Sequence, residues 1–272
     1  MRTHPRVSLS TLSQWNWSVE ENLDFFEREG VRDVGLSWGK FAECGGWRPY
    51  VDRIRDAGLR VTNLVALAPL PLADRSAWRE PLDRIRDTFD AAEALGAECL
   101  IMTTGPGGGL TWEDAADAYG DAMGALITDE AIPRGIRIAL EHTNSLRTDI
   151  GILHTLHDAI DFARRFDVGV CMEINACWAE RGLGATLADG ADTIRIVQLS
   201  DFAIGTLTTP ARLVPGDGDI PMRRIVGQLL DAGYAGCFDI EMIGPRIEEE
   251  GYESASTRAV EHVGALLTDL GA

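Results

Sequence analysis

Residues 137–174 read RIALEHTNSLRTDIGILHTLHDAIDFARRFDVGVCMEI. The stretch opens with Arg137–Thr143 and closes with Val168–Ile174, two short runs dominated by apolar residues. Between them, Leu153–Phe166 repeats apolar residues at helical spacing. A strand, a helix and a second strand make a β–α–β unit. Its strands run parallel, because the helix carries the chain back across the sheet. Both strands deliver a glutamate near their carboxyl ends, Glu141 and Glu173.

The same alternation extends in both directions. Further strands are expected at Val7–Thr11, Asp33–Trp38, Arg60–Leu67, Cys99–Thr104, Ile194–Asp201 and Gly236–Ile243. Helical patterns occupy Ser18–Glu29, Trp78–Leu95, Trp112–Thr128 and Met222–Ala232. Ser18 followed by Glu21 is a capping box at the head of the first helix. The count reaches eight β–α units in 272 residues, with no Pro-, Gly- or Ser-rich linker to split the chain. That is the size and period of a single α/β domain over residues 1–272, a closed (β/α)₈ TIM barrel. An open doubly wound sheet would carry a G-x-G-x-x-G turn after its first strand. Here that position reads Leu12-Ser13-Gln14-Trp15-Asn16-Trp17.

Composition narrows the function. The net charge is −18, from 25 basic and 43 acidic residues. Such a surface repels phosphate backbones and anionic bilayers, so neither nucleic acid nor a membrane is an expected partner. Among the basic residues 24 are arginine, and Lys40 alone is lysine. A Schiff-base mechanism therefore has one residue to use. The five cysteines, Cys44, Cys99, Cys171, Cys177 and Cys237, include no C-x-x-C pair, which speaks against a disulfide framework. Met1–Pro5 lacks the apolar stretch of a signal peptide, so a reducing cytoplasm is expected. His154 and His157 fall three apart on an expected helix and read as a solvated or partly packed face.

In a barrel of this kind the active site lies at the carboxyl ends of the strands. The fifth to eighth strands present Glu141, Glu173, Gln198 and Glu241 there, at similar depth. Three carboxylates in an apolar mouth repel one another and lose hydration, and a divalent cation relieves both costs. Three carboxylates and an amide oxygen form a hard, all-oxygen set. It suits one Mn²⁺ or Mg²⁺ ion, with Co²⁺ and Zn²⁺ as further candidates.

These residues sit in recognisable motifs. Glu141-His142-Thr143-Asn144, Val170-Cys171-Met172-Glu173, Val197-Gln198-Leu199-Ser200-Asp201, Arg212-Leu213-Val214-Pro215-Gly216-Asp217-Gly218 and Phe238-Asp239-Ile240-Glu241 occur in this order. Together they resemble the xylose-isomerase-like barrel superfamily, also named for AP endonuclease family 2. The resemblance covers essentially the whole chain and is most specific from Ile136 to Glu241. It implies Glu141, Glu173, Gln198 and Glu241 as metal ligands, with Glu141 and Glu241 also moving protons as the catalytic pair. It implies Arg212 as a substrate-binding residue. Asn144 leans towards the isomerase and epimerase side. Glu173 stands where Asp is usual, Gln198 where His is usual, as in the 3-dehydroshikimate dehydratase branch, and Ala176 where a substrate-binding His often falls. Barrels of this type often pair their subunits, so a homo-oligomer is compatible with the sequence.

The expected chemistry is proton abstraction α to a carbonyl on a small polyhydroxylated substrate, a keto-sugar or keto-polyol. Returning the proton to carbon gives isomerisation or epimerisation, the leading reading. Losing a β-substituent gives the alternative, a lyase acting on 3-dehydroshikimate, an inosose or a 3-keto-glycoside. A non-catalytic sugar-binding barrel is the third reading. Trp15, Trp38 and Trp178 fall at or beyond strand ends and are candidate substrate-stacking residues. Gly105–Gly109 reads as a flexible turn, and Asp217–Asp219 as a turn too short for an EF-hand. His142 is expected to point away from the barrel axis, and Asp239 to lie a layer below Glu241. Glu248–Glu250 reads as a solvated loop or a lid.

Overall fold

The structure is a computed structural model that describes residues 3–66 and 69–272. Eight parallel strands close into a barrel in sequence order. They are β1 Val7–Ser10, β2 Asp33–Ser37, β3 Arg60–Val65, β4 Cys99–Met102, β5 Ile138–Glu141, β6 Gly169–Glu173, β7 Ile194–Leu199 and β8 Phe238–Ile240. Closure is made by β8 pairing with β1, Phe238 opposite Val7 and Ile240 opposite Leu9. The expected single (β/α)₈ barrel is therefore the fold. Among the described residues no helix is long and apolar enough to cross a membrane.

Parallel strands covered by helices are buried on both faces, which explains why even their polar members, such as Ser8, Thr62 and Asn63, are buried. Two packed layers result. Inside the ring, Leu12, Val65, Cys99, Ile101, Ala139, Cys171 and Ile196 form a compact plug. Outside it, the alternate residues, among them Leu9, Val34, Leu64, Leu100, Leu140 and Val170, meet the helices. On that outer layer Tyr119, Phe162 and Phe166 pack edge to face at 5.2 and 5.3 Å between ring centres. Burying a side chain of this size stabilises by about 1.5–3 kcal/mol.

The first helix, α1 Val19–Glu29, starts on the expected capping box: Ser18 accepts from the Glu21 N–H, and Glu21 from the Ser18 N–H. The helix of the fifth unit starts later than its periodicity suggested, at Leu156. Thr155 accepts the Asp158 N–H and fixes the start there. His154 consequently lies outside the helix, its Nδ1 3.2 Å from the Thr143 carbonyl. His157 is exposed, beside Asp158 and Asp161. These two histidines do not share a helix face as expected. The fourth-unit helix, Trp112–Ala125, passes into a π-helical turn, Leu126–Ala131.

Two loops depart from the sequence reading. Gly105 is no flexible turn: a Cβ there would lie 1.9 Å from the Leu70 carbonyl oxygen, so the glycine is a close crossing of two loops. Glu248–Glu250 is not an open loop either but part of a short helix, Pro245–Glu250. Below the mouth, Asp239 is fully buried, its Oδ1 accepting a 2.6 Å hydrogen bond from Ser8. Burial pushes this carboxyl up to about 7. It makes no ion pair among the described residues and is held by Ser8 and Asn63 instead.

Candidate active site

Strand register sets the depth of each side chain. Glu173 pairs with Gln198, and Gln198 with Asp239. Glu241 therefore stands two residues above Asp239, one past the end of β8. Glu141 ends β5 and Glu173 ends β6. Alternation along each strand turns all three glutamates inward.

Arg212 reaches the same point from the long connection after β7. That connection is fastened at several points. Asp201 and Leu213 exchange backbone hydrogen bonds of 2.9 Å each. The buried Asp201 carboxylate accepts the N–H groups of Phe202, Gly216 and Ile220 at 2.9, 2.8 and 3.1 Å. A Cβ at Gly218 would lie 2.4 Å from Asp201 Oδ1, so the Pro-Gly-x-Gly run lets the loop close over this carboxylate. The Arg212 N–H donates to the Ile243 carbonyl at 3.1 Å, tying the loop to the end of the last strand.

So held, Arg212 Nη1 donates to Glu241 Oε1 at 3.0 Å and to the Glu241 carbonyl at 3.1 Å. The same nitrogen lies 2.7 Å from Glu173 Oε2, an ion pair without an aligned hydrogen bond. The other Glu173 oxygen accepts the Asn175 N–H at 2.9 Å. The other Glu241 oxygen accepts from the Gln198 amide nitrogen. Gln198 is wholly buried, and its amide oxygen faces the Cys171 thiol at 3.2 Å. Behind β5 and β6 the buried His142 accepts the Glu173 N–H at Nε2, 3.2 Å away. Burial drives its value down to about 3, so the ring is neutral. This is the off-axis packing role expected of it.

The carboxylates are unequal. Burial raises all three above the ordinary range. Arg212 is the main opposition to that rise at Glu173 and Glu241, and at Glu141 it acts behind the charges of the other two glutamates. Glu141 is raised further by the charges of Glu241 and Glu173, and no hydrogen bond or ion pair holds its carboxylate among the described residues. It is the basic, unencumbered group of the set. Arg212 loses hydration, yet Glu173, Glu241 and Glu141 together carry it above its usual value, so it stays charged.

These side chains line a cavity of about 440 Å³ at the barrel mouth. Of the expected site residues Glu141, Glu173, Glu241, Arg212, Asn144 and Trp15 line it. Gln198 lies behind Glu241 rather than on the wall. Trp38 and Trp178 do not line it. Trp38 turns to Phe41, with ring centres 4.7 Å apart, and Trp178 packs against the core after the single helical turn Ile174–Cys177. Asn144 is committed to the wall itself: its oxygen accepts the Leu146 N–H at 3.0 Å and its nitrogen donates to Thr209 at 3.2 Å. Arg147, Ile150, Thr209 and Glu248 also face the cavity and were not expected there. Arg147, Ile150 and Thr209 come from loops, where no periodicity marks direction, and Glu248 from the short helix Pro245–Glu250. Of these, Arg147 is paired with Asp149 at 3.0 and 3.2 Å.

The donor set can be tested against a divalent ion. Three carboxylates face one guanidinium, which leaves surplus negative charge when all are ionised. Glu173 Oε2 has only its ion pair with Arg212, without an aligned hydrogen bond, and Glu141 has neither among the described residues, so acceptor capacity remains for a cation. In charge and donor type the residues fit a hard cation. As the side chains stand, Arg212 bridges two of them, and among the described residues no three His, Cys, Asp or Glu groups are gathered round one point.

Comparison with known proteins agrees with this architecture. Inosose isomerase from Halalkalibacterium halodurans is 25% identical over 211 residues, 72% of each chain. The solved structure of the IolI protein with a binding zinc atom superimposes with a TM-score of 0.82, at 17% identity, covering 97% of this chain and 99% of that one. The solved structure of 3-keto-D-glucoside 4-epimerase, YcjR, from E. coli gives a TM-score of 0.72 at 16% identity, covering 93% and 97%. Residues 19–261 match the family described as xylose isomerase-like TIM barrel, and the chain belongs to that family.

Proposed function

We propose that this barrel is a divalent-metal-dependent isomerase or epimerase that abstracts a proton α to the carbonyl of a keto-sugar or keto-polyol. One observation carries the reading. Two glutamates, the half-buried Glu141 and the buried Glu241, stand on strands three places apart around an eight-stranded ring and reach one cavity; among the described residues the first has no hydrogen bond or ion pair, and the second is held by Arg212. Such a pair can address two faces of a ring or two adjacent carbons.

Glu141, Glu173, Gln198 and Glu241 would hold the ion. For Gln198 this requires its amide to turn, since its oxygen now faces Cys171. When bound, the ion polarises a carbonyl and its neighbouring hydroxyl, acidifying the carbon between them. Glu141, raised above its usual value and unpaired, accepts the carbon-bound proton. Glu241 carries a proton on the other side, its oxygen shared with Arg212. Arg212 then places its remaining N–H donors towards substrate oxygens. The apolar wall of Leu12, Val65 and Ile101 limits water at the reacting carbon. The inosose isomerases among the relatives and the keto-glucoside epimerase among the solved structures support a cyclic polyol ketone as substrate. A dehydratase or β-eliminase is the second reading. It is favoured by the unequal tethering of the pair, since one free base suffices for abstraction followed by loss of a leaving group.

Removal of the metal provides the test. The purified protein should carry about one divalent ion per chain by native mass spectrometry, and Glu241→Gln should lose most of it. Chelation should abolish turnover of an inosose, and Mn²⁺ or Mg²⁺ should restore it. Full activity in the chelated, metal-free protein would remove the metal from the mechanism.

A further inference from the structure

Twenty-four of the 25 basic residues are arginine, so the one lysine occupies a place where arginine was not used. Lys40 ends the short 3₁₀ turn Trp38–Lys40 that follows β2, and it is 6% exposed. Its ammonium donates to the Trp15 carbonyl at 3.1 Å and to the Trp17 carbonyl, and it pairs with Glu43 Oε1 at 3.1 Å. The second Glu43 oxygen accepts the N–H of Val19, the first residue of α1, at 3.0 Å. Lys40 and Glu43 thus grip the connection after β1 at three backbone groups, those of residues 15, 17 and 19. Trp15 projects from the middle of that connection into the cavity mouth with Leu12, whereas Trp17 packs on Phe25 with ring centres 5.3 Å apart.

Three acceptors converging on one nitrogen match the three tetrahedral donors of an ammonium. A planar guanidinium spreads its N–H groups over three atoms and cannot reproduce the arrangement. From this we infer that Lys40 is a positioning residue for the substrate cavity: it fixes the backbone on either side of Trp15 and so sets the indole against whatever occupies the mouth. The inference rests on the cavity being the substrate pocket, as proposed above. It assigns Lys40 no covalent role, since all three of its donors are already used.

The test uses the full chain labelled with 5-fluorotryptophan, with the Trp15 resonance identified through Trp15→Phe. In Lys40→Met and in Lys40→Arg the ¹⁹F signals of Trp15 and Trp17 should move or broaden, while that of Trp112 stays in place. With Mn²⁺ and an inosose, KM should rise about tenfold or more in both variants and kcat should stay within about threefold. Glu43→Gln, which keeps the lysine, should give a smaller change of the same kind and serves if Lys40→Met does not fold. A lowered melting temperature with unmoved Trp15 signal and unchanged KM would overturn the inference and leave Lys40 a structural strut. If the wild-type protein does not turn over an inosose, the substrate proposal fails, and the ¹⁹F signals alone decide the role of Lys40: an unmoved Trp15 resonance overturns it.

Discussion

Glu141→Gln is expected to lower turnover by about 10²–10⁴-fold while leaving the fold intact, the usual range for a lost general base. The substitution keeps the shape of the side chain and removes only its ability to take a proton. No hydrogen bond or ion pair is made to that carboxylate among the described residues, and it acts on Arg212 and the neighbouring glutamates only through its charge. Its neighbours Glu173 and Glu241 are negative when ionised, and the charge on Glu141 is already disfavoured by burial and by theirs. Deleting one charge from three relieves that repulsion. The variant should therefore melt no lower than the parent at pH 8, and circular dichroism should be unchanged. Activity within tenfold of wild type would transfer the base to another residue.

Arg212→Met carries the second large effect, on activity and stability together. Among the described residues Arg212 alone bridges Glu173 and Glu241, which are 2% and 6% exposed at their side chains. Removing one partner of a buried ion pair costs about 3–5 kcal/mol when the other stays charged. Here the stranded carboxylates have another course: they take up protons. Burial already raises both, and Arg212 is what holds that rise back. Without it, their folded-state values climb further above the unfolded value of 4.5. The folded variant then holds protons that the unfolded chain has released. Stability falls as pH rises through that window and levels off above the folded-state values. Thermal melts of variant and parent should nearly coincide near pH 4.5 and separate progressively through neutrality. Turnover should fall at least about 100-fold throughout, as expected when a charged, preorganised donor is lost. A melting difference independent of pH would mean that the lost stability lies in packing rather than charge.

The barrel was legible because short β-rich segments alternate with amphipathic helical ones eight times, even where a strand such as Val7–Ser10 or Arg60–Val65 carries polar residues. Strand ends were less so. Thr11, Trp38 and Ile243 continue apolar runs, but the chain has by then turned into 3₁₀ helix or loop, as at Thr11–Gln14 and Trp38–Lys40. The glutamates could be placed together at the mouth because they stand at strand ends, and pairing register keeps them at neighbouring levels. What escaped depends on side-chain choices in loops. Trp15 and Trp38 follow successive strands with similar surroundings in sequence, yet one faces the cavity and the other covers Phe41. Gln198 could be placed on its strand, but not which end of its amide would meet Glu241. Arg147 and Thr209 sit in connections without repeat or period, and only the folded loops bring them to the wall. Lys40 was marked by its rarity, and the structure supplies the reason: a convergence of two carbonyls and a carboxylate on one buried nitrogen.

Solvent deuterium exchange tests the central claim most directly. An inosose incubated in D₂O with the Mg²⁺-loaded protein should lose the ¹H signal of the carbon beside its ketone. A second isomer should appear, of unchanged mass apart from the deuterium. Both changes should fail with Glu141→Gln. An inosose that binds, shifts the melting temperature and keeps every carbon-bound proton would contradict proton abstraction, and the cavity would then be a binding site without chemistry.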